Sequence, residues 1–170
     1  MKSIVVMPLL FIVMTSCTLS FPQATSSANW IKALFADRTS TDESDPQVWF
    51  ASFRGHGAVL KPYASEGLIV FANEDGDAIS FDGWIIRSIT GFNSTAVASI
   101  QGREGARIII YDEDVFKMTC GPWVLESQLW TQSCSSGQAK IGLDNGGNIQ
   151  FIEIPLGKEL GFVKLQVAKI

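Results

Sequence analysis

Short apolar runs separated by turn residues recur along most of this chain, and this pattern constrains the fold more than any other feature. From Val48 onward, runs rich in β-branched and aromatic residues alternate with turn chemistry such as Asp82-Gly83 and Asp144-Asn145-Gly146-Gly147. Turn signals at intervals of roughly eight to twelve residues are typical of antiparallel sheets. The pattern predicts an all-β fold, either an antiparallel β-sandwich or a partly open barrel.

The segment from Ala78 to Phe92 is the clearest hairpin signal in the sequence. Asp82-Gly83 separates two β-rich runs and readily supplies the positive φ angles of a type I′ turn. We therefore expect strands at Asp77–Phe81 and Trp84–Ile89 joined by a tight two-residue turn. With Gly67–Ala72 before them, they form a predicted three-stranded meander.

Two proline-containing pairs are expected to interrupt strands. Lys61-Pro62 follows a short apolar run, and Gly121-Pro122 precedes the run that begins at Trp123. Proline has no N–H for a sheet ladder, so we expect a break at the first pair and a turn at the second. Phe162 to Lys169, in contrast, alternates cleanly between polar and apolar residues and predicts a strand with one buried face.

The N-terminus has the design of an export signal, which we assign to residues 1–16. Lys2 precedes the apolar run Ile4–Met14, which would span only about 17 Å of a hydrocarbon core about 30 Å thick. Met14-Thr15-Ser16-Cys17 then resembles the lipobox of bacterial lipoproteins, with Cys17 as the lipidated residue and the anchor to the membrane. The alternative is a secretory signal cut near Ala24–Ala28, with Cys17 discarded.

The rest of the chain divides into a tether and one domain. Residues 17–27 are mostly polar and predict a tether. Residues 28–170 predict a single β-rich domain, since a chain of 170 residues with 46% hydrophobic content can bury a core. One short helix is expected at Trp30–Phe35, where Trp30 and Leu34 share a face.

An exported chain lies in an oxidising compartment, where two cysteines normally pair. If Cys17 carries lipid, Cys120 and Cys134 remain, and a disulfide between them is the simple prediction. Two buried free cysteines are the alternative.

The sequence contains no recognisable catalytic, metal or nucleic-acid signature. The net charge is −4, so the chain has no excess of basic side chains that could bind the phosphates of a nucleic acid. His56 is the only histidine, no Gly-x-Ser-x-Gly motif is present, and the cysteine and histidine spacing matches no zinc site. Asn73, Asp75 and Asp77 are better explained as a hairpin turn than as a calcium loop. We therefore expect no enzymatic activity and no cofactor.

Five tryptophans are a surplus for a chain of this size. Aromatic side chains can stack on sugars or contact lipid, but in a small β domain they more often form the core. Both interpretations stay open from sequence alone.

The central hairpin and the residues before it resemble the YjbF/GfcB family of bacterial lipoproteins. Tyr63-Ala64-Ser65 is followed by the strand Leu68–Ala72 and then by the hairpin. Asp82 and Trp84 stand where the family usually has Asn and Arg. The hairpin residues that fit the family pattern are Gly83, Arg87, Ser88, Gly91 and Phe92.

This resemblance implies an outer-membrane lipoprotein with a β-rich fold on the periplasmic face. The family is associated with group 4 capsule and exopolysaccharide secretion and has no known enzymatic activity. Expected partners are therefore the membrane, through the lipid anchor, and a polysaccharide or proteins of an export machinery, with Trp84 and Arg87 as the candidate contact surface. An open-barrel lipid or lipoprotein carrier, with a cavity lined by Trp and Phe, is the alternative function.

Overall fold

The computed structural model of the protein describes residues 47–94 and 98–168. Within these ranges the chain forms twelve antiparallel strands that follow one another around a closed barrel. The strands are β1 (Trp49–Phe53), β2 (His56–Ser65), β3 (Leu68–Ala72), β4 (Ala78–Phe81), β5 (Ile86–Thr90), β6 (Ala98–Gln101), β7 (Gly105–Tyr111), β8 (Asp114–Glu126), β9 (Leu129–Cys134), β10 (Gly137–Leu143), β11 (Ile149–Pro155) and β12 (Phe162–Val167).

Closure of the sheet corrects the prediction of a sandwich or a partly open barrel. Trp49 of β1 lies opposite Leu60 of β2 on one side and Val167 of β12 on the other, so the first and last strands are neighbours. The all-β class is confirmed, but the sheet has no free edge. Closure depends on pairing between residues more than 100 positions apart, which local sequence patterns do not reveal.

The described residues contain no helix, and so none that could cross a membrane. The predicted helix at Trp30–Phe35 lies outside the described residues. The same is true of the signal peptide at residues 1–16, of Cys17 and of the tether at residues 17–27.

The core fills the inside of the barrel with alternate residues from the strands. In β12, Val163 and Leu165 are buried while Lys164 and Gln166 are exposed, as the alternation predicted. Buried aromatic rings pack directly on one another, as Trp49 does on Phe71 with ring centroids 4.9 Å apart. The largest apolar side chains with almost no exposure are Phe71, Phe81, Leu60, Ile79, Ile85, Ile86, Ile89, Ile100, Ile109, Ile141 and Ile149.

Three phenylalanines on the outer surface cover glycines of nearby strands. Phe151 lies opposite Gly142, and a Cβ at Gly142 would overlap the Phe151 ring. A Cβ at Gly57 would lie 2.8 Å from Cζ of Phe50, and one at Gly137 would lie 2.8 Å from Cζ of Phe162. These glycines therefore leave room for rings that shield the sheet from the outside.

The turn between β4 and β5 corrects the predicted type I′ hairpin. Four residues, 82–85, connect the strands, and the Asp82 N–H donates to the Ile85 carbonyl at 3.1 Å. Only Gly83 has a positive φ there, of 93°. The wider loop forms because the Asp82 carboxylate accepts the N–H groups of Trp84 and Ile85.

Neither proline pair ends a strand. Strand β2 runs through Pro62, which lies beyond Leu60, the last residue of β2 that pairs with β1. Proline is tolerated there because one side of the strand is unpaired. Strand β8 likewise continues through Gly121-Pro122, where its pairing with β9 shifts in a bulge between Cys120 and Trp123.

Candidate functional site: an arginine cluster at one end of the barrel

Antiparallel order places the 82–85 turn and the 102–104 turn at the same end of the barrel. The described chain also begins and ends there, since the Ala168 N–H donates to the Val48 carbonyl at 2.8 Å. Three arginines and one aspartate meet at this end, namely Arg87, Arg103, Arg107 and Asp82. We call them the arginine cluster.

Asp82 is the acceptor at the centre of the cluster, and its side chain is only 6% exposed. Its Oδ1 accepts the N–H groups of Trp84 and Ile85, both at 2.9 Å. Its Oδ2 accepts Nε and Nη2 of Arg87 at 2.8 and 2.7 Å, and Nε and Nη2 of Arg103, both at 3.1 Å. One carboxylate therefore fixes a turn and holds two guanidinium groups by their Nε edges.

Arg107 lies beneath the surface and has no accessible area. Its Nη2 donates to Oε1 of Gln132 at 2.7 Å and to the Arg103 carbonyl at 2.9 Å, and its Nε donates to the Gly102 carbonyl at 3.2 Å. All these acceptors are neutral. Burial lowers the pKa of Arg107 to about 10, Asp82 acts in the opposite direction, and Arg87 lowers the pKa further. Arg107 is therefore a charged group at neutral pH.

Gln132 and Gly102 position the 102–104 turn. Nε2 of Gln132 donates to the Arg103 carbonyl at 2.8 Å and to the Gly121 carbonyl at 2.7 Å. Gly102 has a φ of 84°, and a Cβ there would overlap the Ala106 carbonyl oxygen. The backbone that carries Arg103 is therefore fixed from inside the barrel, while its side chain reaches outward to Asp82.

Three tryptophans pack together beside the 82–85 turn. The ring of Trp84 is 5.0 Å from that of Trp130 in a T-shaped contact and 5.7 Å from that of Trp123. Trp123 lies opposite Gln132 across β8 and β9, and its buried Nε1–H has no acceptor among the residues that the structure describes. Trp84 is only 8% exposed, so it supports the arginine cluster as a core residue and is not a surface aromatic.

The predicted disulfide between Cys120 and Cys134 is confirmed. The two residues lie opposite each other on β8 and β9, with Cα atoms 4.0 Å apart. Nη1 of Arg107 lies 3.9 Å from Sγ of Cys134, so the bridge borders the arginine cluster.

Other polar groups considered from sequence serve local structure. Asn73 Oδ1 accepts the N–H groups of Asp75 and Asp77, which confirms the hairpin turn between β3 and β4. His56 is exposed at the start of β2. Within residues 47–94 and 98–168, no group of three His, Cys, Asp or Glu side chains is placed to hold a metal ion.

Sequence analysis singled out only Arg87 of the three clustered arginines. The structure places Arg87 at the edge of the cluster, with one third of its side chain exposed. Arg103 and Arg107 were given no role from sequence. A signal for Arg107 existed: it shares the alternation of the inward-facing Ile109 and Tyr111, so a charge occupies a core position of β7.

The barrel resembles a solved bacterial lipoprotein. The crystal structure of the hypothetical lipoprotein YmcC from Escherichia coli K12 matches it with a TM-score of 0.52 and 11% sequence identity. The match covers 86% of this chain and 94% of YmcC, so the likeness to YmcC extends over nearly the whole barrel. No protein-family model matches the sequence, and no curated protein matches it significantly.

Proposed function

We propose that the protein is an outer-membrane lipoprotein whose periplasmic barrel is a non-enzymatic accessory factor in capsule or exopolysaccharide export. The observation that carries this proposal is the likeness of nearly the whole barrel to YmcC, a protein described as a hypothetical lipoprotein. It adds to the lipobox at Met14–Cys17 and to the hairpin resemblance, which are separate features of the sequence.

The interior of the barrel favours this function over the carrier alternative. A carrier needs its aromatic side chains to line a space for lipid. Here Trp49, Trp84 and Trp123 are buried in contact with other aromatic rings. We therefore propose that the protein acts by binding, through its outer surface and its ends.

The test combines the mass of the mature protein with polymer export. We expect wild-type protein extracted from membranes to begin at Cys17 and to carry acyl mass, and Cys17→Ser to lack it. We further expect deletion of the gene to reduce surface polysaccharide, and wild type but not Cys17→Ser to restore it. A mature protein that begins after Cys17 without lipid would remove the lipoprotein assignment. Normal export in the deletion strain would remove the export role.

A further inference from the structure

The arginine cluster carries more positive than negative charge. The cluster contains three guanidinium groups and one carboxylate, that of Asp82, which pairs with Arg87 and Arg103 while Arg107 donates to neutral acceptors; two positive charges within the cluster are therefore uncompensated. Glu104, next to Arg103 in sequence, is exposed. Within the described residues, Asp82 is the one carboxylate that forms an ion pair with any of these arginines.

Asp82 has little capacity left for further donors. Its Oδ1 already accepts two N–H groups and its Oδ2 accepts both guanidinium groups. Arg87 and Arg103 each use Nε and Nη2 for this contact, and within the described part of the chain neither Nη1 donates a hydrogen bond. The outer donors of both side chains therefore face solvent, where the side chains are 33% and 42% exposed.

These outer donors are held in place before any ligand arrives. Asp82 holds the two guanidinium groups by their inner edges. Ligand binding would therefore cost little additional conformational entropy in these two side chains. Arg107 adds a buried charge beneath them whose hydrogen-bond acceptors are all neutral. A charge in a low-dielectric interior is screened less than one in water, so it strengthens the positive potential at the surface.

We propose that Arg87 and Arg103, supported by Arg107, form a binding site for the carboxylate group of an acidic polysaccharide. Guanidinium groups match the planar geometry of carboxylates and donate two hydrogen bonds at once. The choice of an acidic sugar polymer rests on the proposed function, whereas the anionic character of the ligand rests on the cluster alone.

The test is titration calorimetry of full-length protein in detergent with oligogalacturonate, which carries a carboxylate on every sugar. Neutral malto-oligosaccharide and inorganic phosphate are the comparison ligands. We expect oligogalacturonate to bind, with affinity that falls as salt rises, and malto-oligosaccharide to show no binding. Equal binding of the neutral oligosaccharide would overturn the site. Binding of phosphate without oligogalacturonate would overturn the carboxylate assignment.

Variants locate the binding on the protein. Arg103→Gln should weaken oligogalacturonate binding about tenfold, because one charged hydrogen-bond donor is lost. It keeps the Arg103 carbonyl that Arg107 and Gln132 use, so the turn remains supported. Arg103→Lys should fall between wild type and Arg103→Gln, since lysine keeps the charge but not the planar fork. Lys164→Gln removes an exposed, ion-paired cation from β12 and should bind as wild type does.

Unchanged affinity in both Arg87→Gln and Arg103→Gln would overturn the inference. The result is independent of the export experiment. Export that needs the gene, without oligogalacturonate binding, would overturn this site and keep the proposed function. Arginine-dependent binding of oligogalacturonate together with normal export in the deletion strain would keep this site and overturn the proposed function.

Discussion

Asp82 stabilises the barrel end in two ways, because it fixes the backbone of its own turn and neutralises part of a cationic cluster. Its carboxylate is almost fully buried, while Arg87 and Arg103 still reach water. Loss of Asp82 removes the ion-pair partner of both arginines, whereas loss of either arginine leaves Asp82 paired with the other. Replacing the aspartate should therefore lower the stability of the fold more than replacing one arginine.

We therefore expect Asp82→Asn to lower the free energy of unfolding by about 3 kcal/mol, because it leaves three arginines without a counter-charge. Urea unfolding followed by tryptophan fluorescence measures the change. Asp75→Asn is the matched control, since Asp75 is an exposed turn residue, and it should change stability by less than about 0.5 kcal/mol. Equal stability of both variants would show that Asp82 is not the centre of the cluster.

Asp144 offers a prediction about pH at the turn between β10 and β11. Hydrogen bonds from the backbone and side chain of Asn148 lower the pKa of Asp144, with further donors from Gly146 and Gln150. A carboxyl with a lowered pKa in the folded state stabilises the fold above its ordinary value of 3.8, and this contribution disappears as pH falls through the folded pKa.

The stability advantage of wild type over Asp144→Asn should therefore be full at neutral pH and should shrink as pH falls below 3.8. Urea unfolding of both proteins across the acid range measures it. A difference that stays constant down to the lowest pH would show that the charge of Asp144 does not contribute.

At the scale of strands and turns, most elements could be predicted from the sequence because the relevant signals are local. Alternation identified β12, and turn residues identified the connections of β3 with β4 and of β10 with β11. The predictions of a break at Lys61-Pro62 and a turn at Gly121-Pro122 were wrong, because the effect of a proline depends on the neighbouring strand. Pro62 lies beyond the end of β1, and Gly121-Pro122 lies at the bulge in β8.

The arginine cluster could not be assembled from sequence for a related reason. Asp82, Arg103 and Gln132 come from turns and strands about 20 to 50 positions apart, and only the register of the sheet brings them together. Arg87 was singled out because it fits the hairpin pattern of the resembling family, and it lies in the same hairpin as Asp82, five residues away.

The cross-strand disulfide gives a prediction about β8 and β9. Reduction, or replacement of both Cys120 and Cys134 by alanine, should lower the free energy of unfolding by roughly 3 kcal/mol, the value for a closed loop of about 15 residues. Unfolding with and without reductant measures the effect. The double alanine variant is its own control, because reductant should leave its unfolding curve unchanged.

At the scale of the whole molecule, the pairing of β1 with β12 holds the barrel together. Removal of β12 would expose the edges of β1 and β11 and would leave Trp49 without its β12 partner Val167. Near the two ends of the described part of the chain, the Ala168 N–H also donates to the Val48 carbonyl, so these two residues lie side by side.

A chain that ends at residue 161 should therefore show no cooperative unfolding transition. A circular permutant that joins residue 168 to residue 47 by a short linker and opens at Glu66-Gly67, an exposed turn, keeps all described strands and should fold. Thermal unfolding followed by circular dichroism distinguishes the two constructions. A cooperative transition in the shortened chain would show that β12 is dispensable for folding.

Closure also sets the order of events in biosynthesis. Strand β1 is synthesised first, yet one of its two partners is the six-residue strand at the far end of the described chain. Until that last strand is released, β1 remains an open edge that can recruit other chains. The barrel can therefore close only when β12 is available, and β1 is the strand that waits longest for its second partner.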